Sequence, residues 1–221
     1  MKRLPEPELM EDPAQARAYA EADFSEANQL FLERFARLLP ASPAGARVLD
    51  LGCGPGAITL DFARRHPGCR ITAVDGAEAM LAHAHDALNA APDLRESVQL
   101  ECLRLPCPSL PEHAFDIILS NSLLHHLHDP DVLWQTVKRS ARAGATVMVM
   151  DLARPADEKE VEALIVQYAA DAPEVLRRDF RNSLLAAFTP EEIEEQLRHH
   201  DLGYLRVERI SDRHLSIEGR L

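Results

Sequence analysis

Between residues 45 and 152, short and nearly unbroken apolar runs alternate with longer stretches whose apolar positions recur at helical spacing. RVLDL (47–51), RITAVD (70–75), SVQLEC (97–102), FDIILSN (115–121) and ATVMVMDL (145–152) have the length and residue types of strands. AITLDFARRH (57–66), stopped by Pro67-Gly68, reads as a helix, as do AEAMLAHAHDALNA (77–90) and DPDVLWQTVKRSA (129–141). Strands apolar on both faces, joined through helices by short links, predict an α/β fold: a parallel sheet covered on both sides and wound right-handed.

The flanks break this rhythm. DPAQARAYAEADFSEANQLFLERFARLLP (12–40) predicts one or two helices before Pro40, and ASPAGA (41–46) a linker. Residues 155–187 read as largely helical, and TPEEIEEQLRHH (189–200) opens with a good N-cap signal. The tail YLRVERISDRHLSIEG suggests two strands around a turn near Ser211-Asp212, an antiparallel edge pair. The expectation is one domain: a helical cap over 1–44, a core over 45–152, a helical lid over 153–188, and a helix with a strand pair over 189–221. There is no internal repeat.

Composition narrows the classes. At 221 residues the chain can bury a substantial core, and no stretch approaches the ~20 apolar residues of a membrane span. MKRLPEPELMEDP has no apolar stretch behind its basic residues, so no signal peptide is read there, and the cytoplasm is the expected compartment. Cys53, Cys69, Cys102 and Cys107 show no CxxC spacing and are expected to be reduced thiols. A net charge of −12, from 36 acidic and 24 basic residues, argues against a phosphate-binding nucleic-acid face. The mild cluster Arg177, Arg178, Arg181 is a weak counter-signal.

Three of only nine glycines fall in Gly52-Cys53-Gly54-Pro55-Gly56, directly after the first strand. In an open parallel sheet, ligands bind beyond the carboxyl ends of the strands. There, glycines let backbone N–H groups lie against a ligand, and the next helix N-terminus favours an anionic group. The GxGxG spacing differs from the GxGxxG of dinucleotide binders. Asp75 ends the second strand, about 20 residues on, where an acid would bind ribose hydroxyls.

Taken together, VLDLGCGPG, AVDGAEAML and FDIILSNSLLHHLHDP resemble the class I S-adenosylmethionine-dependent methyltransferases over roughly residues 45–152. The resemblance implies a Rossmann-like, seven-stranded sheet with its last strand antiparallel. It also implies S-adenosyl-L-methionine as cofactor, with S-adenosyl-L-homocysteine as product. By resemblance, Asp50, Gly52, Cys53, Gly54 and Gly56 surround the methionine moiety and Asp75 binds the ribose. Gly76 and Met80 lie beside the adenosine, and Asn121 faces the sulfonium. Where many relatives place an acidic residue after the third strand, this chain reads ECLRLPCPSL, with Leu103 near that position and Glu101 within the strand, so backbone contacts from Cys102 or Leu103 are expected instead. ARAGA (141–145) replaces the usual Lys-Pro-Gly-Gly turn.

His125 and His126 follow the fourth strand at the mouth of the expected pocket, with His128 beyond them. Imidazole titrates near neutrality, so His125 or His126 is a candidate general base for an acceptor that loses a proton. The alternative is that one ring packs beneath the cofactor and the others face solvent. Adjacent histidines in a loop rarely converge, and no acid or cysteine completes a set, so no metal is expected. Methyl transfer itself demands mainly alignment of donor and acceptor. Specificity is therefore expected from the helical flanks, with Tyr19, Phe24, Tyr168, Arg177, Arg178, Phe180 and Asn182 as substrate candidates.

The leading expectation is a methyltransferase acting on an enclosed small molecule, similar to enzymes of ubiquinone and menaquinone biosynthesis. Its rivals are a tRNA or rRNA methyltransferase and a non-catalytic S-adenosylmethionine-binding module. SNSL stands where many amino-group methylases carry Asn/Asp-Pro-Pro-aromatic. Oligomeric state is open, a homodimer being one option.

Overall fold

The computed structural model describes residues 1–7, 9–39 and 43–221. Of the linker 41–46, Ala41 and Ser42 lie outside the described residues. In chain order the elements are α1 (Pro13–Glu21), α2 (Ser25–Leu38), β1 (Arg47–Leu51), α3 (Ala57–Arg65), β2 (Arg70–Asp75) and α4 (Glu78–Asn89). They continue with β3 (Val98–Cys102), β4 (Phe115–Asn121), α5 (Asp131–Ser140) and β5 (Ala141–Leu152). The chain closes with α6 (Glu158–Ala169), α7 (Glu174–Ala186), α8 (Pro190–His199), β6 (Arg206–Arg209) and β7 (His214–Arg220).

Among the described residues the strands form one seven-stranded sheet in the order β3-β2-β1-β4-β5-β7-β6. β7 runs antiparallel to β5 and to β6, and the pairings from β3 through β5 are parallel. The sheet's order reverses at β1, which pairs with β2 on one side and β4 on the other. A crevice opens beyond the carboxyl ends at such a switch point.

Alternate residues feed two cores, as the two-residue period of a strand requires. Ile117, Leu119, Met148 and Met150 pack with Phe31, Leu32 and Phe35 of α2 and Phe62 of α3. Ile118, Val147 and Val149 pack with Leu133, Trp134 and Val137 of α5 and with Ile193 and Leu197 of α8. The expected N-cap of α8 is a full capping box: Thr189 accepts from the Glu192 N–H, and the Glu192 carboxylate accepts from the Thr189 N–H.

Two expectations about the flanks change. The segment 12–39 is not simply a cover, because Phe31, Leu32 and Phe35 are core residues. Of this segment, Tyr19 of α1, Phe24 at the corner and Asn28 in the first turn of α2 reach the crevice. The turn expected at 141–145 is also the start of β5 itself, with Gly144 at φ 81° and an irregular register opposite Phe115 and Ile117. Helices α6 and α7 form a small core of their own around Leu152, Val161, Leu164, Leu184 and Leu185.

Candidate active site

A pocket opens beyond the carboxyl ends of β1, β2 and β4. Its space is about 870 Å³ counting the part open to solvent. The floor is the loop after β1. Gly52 and Gly54 adopt φ 73° and 54°, a left-handed conformation that side chains resist. A Cβ at Gly52 would stand 2.9 Å from the Leu123 Cβ, so this glycine also permits close packing. A Cβ at Gly54 would meet only the tip of Met80, at 3.4 Å. Here the reason for glycine is backbone conformation beside a ligand space.

Asp75 organises this floor. Its carboxylate accepts from the Gly54 N–H and from the Ala77 N–H, both at 2.8 Å, and so ties the glycine loop to the start of α4. Burial raises its pKa, against the pull of those N–H donors. Asp50, at the end of β1, is buried and accepts from the Thr59 hydroxyl at 2.6 Å. Burial, with the nearby charge of Asp75, pushes the Asp50 carboxyl to about 6 against the pull of the Thr59 hydroxyl. An incoming ammonium would relieve that cost. Asn121 ends β4 with a buried Oδ1 that has no hydrogen-bond partner among the described residues. A glycine cradle, a carboxylate held near neutrality and an orphan amide oxygen fit an amino-acid-bearing nucleoside such as S-adenosylmethionine.

The opposite wall comes from remote segments. Tyr19 and Phe24 line the pocket with ring centroids 4.6 Å apart, joined by Asn28, Leu9 and Met10. Burial, with Asp75 nearby, lifts the Tyr19 phenol to about 12, so it stays protonated and serves as a donor. Leu9 belongs to an N-terminal strap whose described residues, 1–7 and 9–11, carry no helix or strand. Arg3 anchors the strap by donating to the carbonyls of Ala186, His125 and Leu127, with its guanidinium 4.0 Å above the Phe188 ring. Leu4 N–H donates to the Leu185 carbonyl, and the Ser183 hydroxyl to Glu6 Oε1 at 3.0 Å.

After β4 the chain turns at Ser122, φ 54°, into a single 3₁₀ turn over Leu124–His126. His125 is buried and points away from the pocket: its Nδ1 lies 2.5 Å from Oδ1 of Asp151 on β5. Burial alone would lower the His125 pKa, but the Asp151 charge and hydrogen bond, with Glu6, raise it; Asp151 is correspondingly lowered despite its own burial. His126 does line the pocket. Burial and the His125 charge hold it down at about 3, so it is a neutral imidazole. Its Nδ1 is buried, meets no geometric hydrogen-bond partner among the described residues, and lies 3.2 Å from Glu6 Oε1.

Asp50, Gly52, Cys53, Gly54, Asp75, Gly76, Met80, Asn121, His126, Tyr19 and Phe24 thus come together. Other expected residues lie outside. Gly56 starts α3 behind the loop. Cys102 is exposed beside β2, and Leu103 donates its N–H to the Asp75 carbonyl. Tyr168 donates to Asp212 at 2.5 Å, under the Arg213 guanidinium. Arg177 and Arg178 are exposed because α7 turns Leu184 and Leu185 inward, and Phe180 packs against the α6–α7 core. Asn182 is half-buried on α7 and does not line the pocket. The expectation that no acid stands near the histidines is corrected: Glu6 does, brought by a strap that shows no periodicity. Asp151, an acid ending the buried run VMVMD, was the readable signal that a cationic partner sits nearby.

Comparison with known proteins agrees with this geometry. The family model described as a methyltransferase domain matches residues 20–207. The trans-aconitate 2-methyltransferase of Variovorax paradoxus is 33% identical over 132 residues, 59% of this chain and 47% of that protein. The ubiquinone biosynthesis O-methyltransferase of Pseudomonas putida is 32% identical over 117 residues, 52% of this chain and 47% of that protein. The matches thus span less than half of these curated relatives. Among solved structures, an S-adenosylmethionine-dependent methyltransferase from Aquifex aeolicus superposes with a TM-score of 0.66 at 18% identity, over 95% of this chain and 98% of that one. Sheet order, glycine cradle and family match meet in one conclusion: the chain belongs to the class I S-adenosylmethionine-dependent methyltransferases.

Proposed function

We propose that the chain transfers a methyl group from S-adenosylmethionine to a small-molecule acceptor that enters between the strap, the α1–α2 corner and His126. The observation that carries this is the lining of the pocket: Leu9, Met10, Tyr19 and Phe24 line it together with the glycine loop, Asn121 and His126. Apolar walls with few polar groups suit a small ligand and exclude water. The net charge of −12 supports a small acceptor over RNA. The names of the two curated relatives, which refer to trans-aconitate and to ubiquinone biosynthesis, point the same way.

S-adenosylmethionine, when bound, supplies an activated methyl that needs only aligned approach by the acceptor. The protein's part is therefore placement. Asp50 and the N–H groups of the glycine loop would hold the amino-acid end, and Asp75 the ribose. Asn121 Oδ1 would face the reacting end. Tyr19 offers a proton-bearing hydroxyl to the acceptor, and the neutral His126 ring forms part of the wall that the acceptor packs against. His125 does not reach the pocket; it holds the histidine turn against Asp151.

The test is a fractionated small-molecule extract incubated with the protein and S-adenosylmethionine carrying a deuterated methyl. A labelled small product, together with S-adenosylhomocysteine binding by calorimetry, supports the reading. Label found in RNA, or binding without any labelled product, overturns it.

A further inference from the structure

The geometry points to a divalent transition-metal site at the acceptor end of the pocket, formed by Glu6, His125 and His126. Glu6 Oε1 lies 3.5 Å from His125 Nε2 and 3.2 Å from His126 Nδ1, and all three ligand atoms fall within 4.8 Å of one another. Bonds of about 2.1 Å at tetrahedral angles place ligand atoms roughly 3.4 Å apart, so the three need little movement to share one ion.

The hydrogen-bond arrangement supports a cation here. His125 Nδ1 is committed to Asp151, which leaves Nε2 directed at Glu6. His126 Nδ1 is buried with no hydrogen-bond partner among the described residues and faces the same carboxylate oxygen. Between a carboxylate oxygen and two imidazole nitrogens at these distances sits either a shared proton or a cation, and the convergence of all three ligand atoms on one point suits a cation. Asp151 behind His125 is the carboxylate partner that orients a metal-bound imidazole and strengthens it as a ligand. Ser183 fixes the Glu6 carboxylate through its 3.0 Å hydrogen bond. Arg3, on the far side of the turn, offsets part of the negative charge of Glu6 and Asp151 without entering the cluster.

Two imidazoles and one carboxylate leave coordination positions open, as in metal sites that bind and polarise a substrate oxygen. His126 places the open side toward the pocket. The ligand class is thus an acceptor with a hydroxyl, enol or carboxylate oxygen, held and made more acidic by the ion. This role for the ion rests on the methyl-transfer reading; its binding does not.

Tag-free full-length protein stripped with a chelator is titrated with Co²⁺, read by its visible absorption band and by metal content, with Zn²⁺ as competitor. One equivalent per chain is expected. Glu6→Gln and His126→Gln, with folding checked by circular dichroism, should each weaken binding about 50-fold, and Asp151→Asn about tenfold. Less than a tenth of an equivalent bound, or unchanged affinity in both ligand variants, overturns the site. S-adenosylhomocysteine calorimetry on the stripped protein separates the outcomes. Normal binding there with no Co²⁺ uptake removes the metal and leaves the methyltransferase reading. Loss of binding in well-folded protein removes that reading instead.

Discussion

The two sides of the pocket are built in opposite ways. The side proposed for the cofactor comes from one continuous stretch, residues 50–80, and is mostly backbone: left-handed glycines and N–H groups pinned by Asp75. The acceptor side is made of side chains from residues 9–28, 121–126 and, behind them, Glu6, Asp151 and Ser183. A ligand common to a family can be held by a short motif that any sequence with this loop reproduces. An acceptor particular to one protein is met by residues that only the complete fold assembles.

The sharpest test of this contrast is Gly54→Val. It puts a branched side chain into the left-handed region beside Met80. S-adenosylhomocysteine affinity should fall at least 100-fold by calorimetry in protein whose circular dichroism is native. An affinity within threefold of wild type would mean that the cradle does not hold the cofactor. Asp75→Asn comes next: losing the charge that gathers the Gly54 and Ala77 N–H groups should cost about 2 kcal/mol, close to 30-fold in affinity.

Asp50 gives a pH test. Its folded pKa of about 6 lies above the ordinary aspartate value of 3.8, so its contribution to folding is fully present below about 3.8 and is lost as pH rises through 6. Binding an ammonium reverses the preference, because it favours the ionised carboxylate. Affinity for S-adenosylhomocysteine should therefore weaken below pH 6, by up to about tenfold per pH unit, with proton release detected by calorimetry in buffers of different ionisation enthalpy. A flat profile between pH 5 and 7 would remove Asp50 from the amino-group contact.

On the acceptor side, Arg3→Ala should lower stability by about 2 kcal/mol, a Tm shift of about 5 °C. Turnover should fall by about tenfold while S-adenosylhomocysteine affinity stays within threefold. Equal losses in both would show that the strap serves the cofactor as well. The smallest effect belongs to Tyr168→Phe, expected within 0.5 kcal/mol and without change in activity, since its hydroxyl meets Asp212 near the surface.

The same division explains what could be read from the chain. β1, β2 and β4 fall on the expected residues because doubly buried strands are short apolar runs between turn signals. Asp75 and Asn121 stand at strand ends, which the alternation locates. Tyr168, Arg177, Arg178 and Asn182 were drawn from a helical insertion whose orientation no local pattern specifies; α7 buries Leu184 and Leu185 and turns its arginines outward. Glu6 was hidden for a different reason. Its neighbours Pro5 and Pro7 carry no periodic signal, and its partners are about 120 residues away.

Arg3 bonds to carbonyls 122 to 183 residues later in the chain. During synthesis this segment precedes all its partners: the histidine turn emerges first, and the full set of contacts is available only when α7 has emerged and folded. The glycine loop, by contrast, finds its partners within about 30 residues. The nascent protein therefore completes its nucleoside cradle well before its acceptor wall, and the strap is the last piece to dock. It should also be among the first to come loose, which makes it the segment where amide exchange would register opening without the sheet being disturbed.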